Sequence, residues 1–189
     1  MGAMAQVIPV EPGAEKIIVE AWISGSSLKG TTTAPAGDAS RLPESAELAT
    51  NLVNYDYIAF DQTTSENAFF QYKLPPGWNE GTVTFRVVWT ATAGTGGVVF
   101  GLKALARSDD DALDTAFGTE VNVSDTLIAT DDVHISPESG AVTIGGTPQE
   151  GDIVLFNIAR KTADAADTLT ADARLMGLAL RFTRSNITD

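Results

Sequence analysis

Residues 78–90, WNEGTVTFRVVWT, set the pattern for much of the chain. After an Asn-Glu-Gly turn, Val83, Phe85, Val87 and Trp89 fall on one side of an extended chain. Thr82, Thr84, Arg86 and Val88 fall on the other, because successive strand side chains point to opposite faces. The same period of two runs through KIIVEAWI (16–23), with Ile17, Val19, Ala21 and Ile23 on one side and Glu20 and Trp22 on the other. YDYIAF (55–60) and AFFQYKL (68–74) flank a polar turn, and the glycine-rich TAGTGG (92–97) leads into VVFGLKALA (98–106). EVNV (120–123), DVHI (132–135), AVTI (141–144), IVLFNIAR (153–160) and LMGLALRFTR (175–184) complete the expected strands.

VVFGLKALA and LMGLALRFT are apolar on both faces. Such strands are either central ones covered from two sides or part of a subunit interface, where Gly101, Ala104, Gly177 and Ala179 permit close approach. Helical expectations are few: SDDDALDTAFG (108–118), begun by Ser108 and ended by Gly118, and TADAADTLTADAR (162–174). PESAELATNL (43–52) reads as a helical turn or as a strand. Many short strands with Gly/Pro punctuation predict an all-β fold, an antiparallel β-sandwich of the jelly-roll kind.

The 189 residues suffice for one sizeable core. Lys and Arg number 12 against 25 Asp and Glu, a formal net charge of −13. That balance argues against a nucleic-acid binder, which needs a basic footprint, and against docking on anionic membranes. There is no cysteine, which excludes disulfides, thiolate metal sites and cysteine nucleophiles. No run approaches the ~18 apolar residues of a membrane helix, so no membrane insertion is expected. The opening MGAMA (1–5) lacks the regions of a signal peptide and reads as an expression-tag remnant.

Catalytic chemistry finds little footing. The lone histidine, His134, sits between apolar strand positions, without a G-x-S-x-G elbow elsewhere. GTGG (94–97) lacks the Lys-Ser/Thr of a phosphate loop. Asp109, Asp110, Asp111 and Asp114 are calcium candidates, with solvated loop carboxylates as the simpler reading. Paired carboxylates for glycoside hydrolysis cannot be chosen among so many acids. No catalytic residue, cofactor or enzymatic activity is therefore expected. Trp89 belongs to the core by its face; Trp78, in the PPGWNEG turn, either covers the sandwich end or offers a ligand platform; Trp22 is read as packing against another subunit.

Four stretches carry a resemblance: FDQTTSENAFFQYKLPPGWNEGTVTFRVVWTA, GGVVFGLKALARSDDDALDTAFGTEVNVSDTL, HISPESGAVTIGGTPQEGDIVLFNIAR and ADTLTADARLMGLALRFT. From about residue 55 to 183 the chain resembles virion surface proteins of bacteriophages and gene transfer agents, of the head-spike and tail- or head-fibre kind. The resemblance implies a particle-surface protein, made in the bacterial cytoplasm, that attaches to host capsular polysaccharide without cleaving it. It also implies other virion structural proteins as partners, and assembly as a homo-oligomer, a trimer or ring. The alternatives are an architectural decoration or spike-base protein and, less favoured, a glycan depolymerase, which commonly needs a long repeat solenoid absent here. It weakens over residues 6–50, expected to be an N-terminal anchoring and assembly segment with a surface loop, ahead of a sandwich domain over 51–189. Sugar recognition by loop aromatics with Asp/Asn neighbours then points to Trp78 with Asn79 and to Tyr55 with Asp56.

Overall fold

The alternating segments become strands, and their apolar sides meet. The computed structural model describes residues 17–38, 40–79 and 81–184. In chain order its strands are β1 (Ile17–Ser24), β2 (Lys29–Gly30), β3 (Glu44–Leu48), β4 (Val53–Phe60), β5 (Asn67–Lys73) and β6 (Thr84–Thr90). They continue with β7 (Gly96–Arg107), β8 (Val121–Leu127), β9 (His134–Ile135), β10 (Ile144–Gly145), β11 (Ile153–Arg160) and β12 (Ala173–Arg184). Among the described residues the only helical piece is the 3-10 turn Gly25–Ser27. The remnant expected at 1–5 lies outside the described residues, as do residues 6–16 of the expected anchoring segment.

Two six-stranded sheets form an antiparallel β-sandwich. The first runs β3-β4-β12-β6-β9, with β1 also on β12; the second runs β10-β7-β11-β5-β2, with β8 also on β7. Every ladder is antiparallel except the short β10–β7 pairing. The chain crosses repeatedly between the layers, as a jelly roll does. Residues 17–48 supply β1, β2 and β3, so they are laid into both sheets.

Between the sheets the alternation reads out directly. Phe85, Val87 and Trp89 of β6 are fully buried against Phe100, Leu102 and Ala104 of β7 and Ile158 of β11 in one continuous core. Phe70 and Phe156 stack with ring centroids 4.7 Å apart, and Phe60 meets Phe100 edge-on at 5.4 Å. His134 is buried beside Trp89, its Nε2 3.0 Å from the Ala129 carbonyl.

Both expected helices are instead loops, because their polar groups have better partners elsewhere. In 162–174 the amides of Thr168 and Leu169 donate to the Gly97 carbonyl, and that of Thr170 to Thr95. Their carbonyls are drawn inward by the fully buried Arg160, whose guanidinium donates to the carbonyls of Phe60, Leu169 and Ala171. Arg160 also grips Asp167 through two bonds of 2.9 and 3.1 Å. Over 108–118, Asp111 accepts from the Ser108 amide and pairs with Arg107, while Gly118 N–H donates to the Ala104 carbonyl. The undecided 43–52 stretch is β3 followed by a turn.

These loops lie over the outer side of the second sheet. Val99 and Leu105, which point away from the core on β7, are only 2% and 1% exposed. Lys103 lies over the Phe117 ring, Lys161 pairs with Glu120 at 2.7 Å, and the Val99 amide donates to Asp167. The two-sided apolar character of VVFGLKALA is therefore that of a central strand covered by its own chain. On the outer side of the first sheet, the loop after β9 sends in Glu138, which reaches Thr84, Arg86 and Arg181.

Candidate functional site

The outward positions of the first sheet follow from its registers. Glu44, Ala46 and Leu48 of β3 pair with Tyr57, Tyr55 and Val53 of β4. Arg174 and Met176 of β12 share this side, as do Thr84, Arg86 and Val88 of β6, Ile135 of β9, and Ile18, Glu20 and Trp22 of β1. Trp22 is 54% exposed and Ile18, Val53 and Ile135 are also exposed. An open sheet face carrying this much apolar surface is uncommon unless something covers it.

Trp22 owes its position to Gly177. A Cβ on Gly177 would lie 2.5 Å from Trp22 Cζ2 and 2.7 Å from Cη2, so the indole rests against bare backbone. Gly177 sits where β12 carries a register shift between Leu175 and Gly177 and where its neighbour changes from β4 to β1. One side of the ring is thus supported by the sheet while more than half of its surface stays open.

Arg174 organises the next stretch of β12. Its guanidinium lies 4.5 Å from the centroid of the Tyr57 ring, and its Nη1 donates to Tyr55 Oη at 2.8 Å. The Tyr55 and Tyr57 rings are 5.5 Å apart, and Tyr57 Oη donates to Glu44 Oε2 at 3.1 Å. Burial pushes the Tyr57 phenol above its ordinary range, with the Glu44 bond adding to the rise and Arg174 opposing it. Tyr57 is a buried wall; Tyr55 is half-buried and keeps part of its ring in solvent.

Two hollows border this cluster. A cleft of about 580 Å³ is lined by Glu44, Tyr57, Thr92, Asp172 and Arg174 among others. A smaller, apolar hollow of about 90 Å³ lies between Leu48, Val53, Tyr55, Val133 and Met176. Along β12, Arg174, Met176 and Gly177 thus carry in succession the cleft, the apolar hollow and the Trp22 ring. This arrangement presents rings and carboxylates along one line, and among the described residues no acidic and imidazole side chains are clustered to hold a metal ion.

The wider comparisons give one kind of result. No protein-family model matches the chain, and no curated protein does. Solved structures of similar form include carbohydrate-binding modules. The CBM36-1 domain of a multidomain xylanase from the hindgut metagenome of Trinervitermes trinervoides matches with TM-score 0.42 and 9% identity, over 86% of this chain and 96% of that one. The CBM22-2 xylan-binding domain of Paenibacillus barcinonensis Xyn10C matches with TM-score 0.46 and 9% identity, over 89% and 99%. The family 11 module from Clostridium thermocellum, solved with a mixed-linked tetrasaccharide, matches with TM-score 0.45 and 9% identity, over 85% and 94%. The ligands named for those modules are theirs; the site in this chain stands on its own residues.

The residues expected from the sequence are scattered. Trp78 is only 4% exposed and belongs to the core, so its ring covers the sandwich end and is not a ligand platform. Asn79 is exposed, its Oδ1 accepting from the Gly81 amide and its own amide donating to the Thr183 carbonyl. Trp78 bridges to Arg184, ten residues along β12 from Arg174 and so about 30 Å away. Tyr55 lies on the open face, whereas Asp56 points to the other side of β4 and accepts from Ser45 Oγ at 2.6 Å. The calcium candidates Asp109, Asp110, Asp111 and Asp114 lie in the 108–118 loop, and among the described residues no three acidic or imidazole side chains are grouped to hold a metal ion. Trp22 was visible in the sequence as an indole on the polar side of β1, but Gly177 becomes its neighbour only across strands.

Proposed function

We propose that this chain is a non-catalytic polysaccharide-binding protein that holds a glycan along the open face of its first sheet. The observation that carries the reading is Trp22: an indole more than half exposed, propped on Gly177, in line with Tyr55 and a polar cleft. An exposed ring held from behind covers the apolar side of a pyranose at little entropic cost, while Glu44, Asp172 and Thr92 supply partners for hydroxyls. Together with the resemblance of residues 55–183 to phage and gene-transfer-agent surface proteins, this reading extends to a spike or fibre component. It sits on the particle beside other virion proteins, assembles with copies of itself and meets host capsular polysaccharide.

The binding part is tested with purified protein on encapsulated cells and on capsule-deficient cells of the same strain. Retention on the former alone, with no release of reducing ends from isolated capsule, is the expected result; equal retention on both refutes it. The particle part is tested by immunogold labelling of purified particles, where absence of label refutes a surface location.

A further inference from the structure

Resting on the polysaccharide-binding reading above, we infer that the glycan taken by this face carries no acidic groups, and that uronic-acid or sulfated polymers are rejected. The ground is the state of the arginines. Arg86, Arg174 and Arg181 are the cations at outward strand positions of the first sheet among the described residues, and no lysine accompanies them. Arg181 donates to Glu20 through Nε and to Glu138 through Nη1, each at 2.7 Å. Arg86 Nη2 reaches the same Glu138 oxygen at 3.4 Å. Arg174 is held by the Tyr55 hydroxyl and the Tyr57 ring.

Arg181 is therefore paired with Glu20 and Glu138, Arg86 shares Glu138, and Arg174 is engaged by Tyr55 and Tyr57, so a sugar carboxylate would compete with bonds already made. It would meet acids on the way. Glu44 and Asp172 line the cleft beside Arg174, Asp131 lies near the apolar hollow, and the whole chain carries −13. A bare carboxylate beside carboxylates in a partly desolvated cleft is repelled. A hydroxyl is not: carboxylate oxygens accept from it, and charge-assisted bonds of this type are the stronger ones. The same acids that exclude an anionic sugar thus recognise a neutral one.

The test measures binding of the full chain, by affinity electrophoresis and calorimetry, to neutral glucans, galactans and mannans and to polyuronates and sulfated glycans. Neutral polymers are expected to bind at least roughly tenfold tighter than any acidic one. That affinity is expected to change little between about 50 mM and about 500 mM salt, since no ion pair forms with the ligand. Glu44→Gln, at a half-buried position, and Asp172→Asn, at an exposed one, are expected to weaken neutral binding roughly threefold to tenfold and to narrow the gap to polyuronates. Tighter binding of a polyuronate or a sulfated glycan overturns the inference but leaves polysaccharide binding standing. Binding to none of the polymers, with capsule retention also absent, overturns both.

Discussion

Replacing Trp22 by alanine separates a ligand platform from a structural ring. The indole is 54% exposed. For a side chain presenting roughly 250 Å², that leaves about 135 Å² in water. A pyranose lying on one side of the ring would cover about half of it, and at ~25 cal/mol per Å² this is worth about 1.7 kcal/mol. Trp22→Ala should then weaken glycan binding roughly fifteenfold. The effect on stability should be smaller, about 1 kcal/mol or less, since the ring is supported by the Gly177 backbone and fills no part of the core. Calorimetric titration with the tightest-binding polymer gives the first quantity and chemical denaturation the second. An unchanged dissociation constant would refute the platform. So would a loss of stability above about 3 kcal/mol, which would mark the ring as part of the packing.

Four other outcomes follow from the same geometry. Trp78→Ala removes a buried ring and should cost about 3–5 kcal/mol in denaturation experiments, with binding by the remaining folded fraction unchanged. Arg160→Met strips Asp167 and three carbonyls of their donor and should cost roughly 3–5 kcal/mol, read from the denaturation midpoint. Burial raises the Glu66 carboxyl above its ordinary value, so the folded state favours the proton and Glu66 weakens the fold once pH rises past that raised pKa. Glu66→Gln should therefore raise the melting temperature at pH 7 more than at pH 4, and an equal shift at both would contradict this. Deleting residues 6–30 removes β1, paired with β12 along its whole length, and the fully buried Leu28, so cooperative melting by circular dichroism should be lost.

Strand positions and their buried sides were legible in the chain because a period of two is a local property. Phe85, Val87 and Trp89 announce their burial within one segment, and IVLFNIAR coincides with β11. The loops were not legible in the same way. TADAADTLTADAR has helix-forming composition, yet the hydrogen-bonding capacity of Arg160 and of β7 outcompetes a helix of its own, and the β7 partners are remote in sequence. Trp78 was harder still. Its turn context suggests exposure, but the end of β12 folds over it.

By itself the sequence determined a helix-poor, acidic, cysteine-free sandwich, since alternation, turn residues and composition need no knowledge of distant contacts. Which outer face stays open was decided only by tertiary structure, because that depends on where the 108–118 and 161–169 loops come to lie. The same holds for the binding line. Trp22 and Gly177 are 155 residues apart and Glu44 and Arg174 are 130 apart, and only strand pairing across the first sheet joins them into one surface.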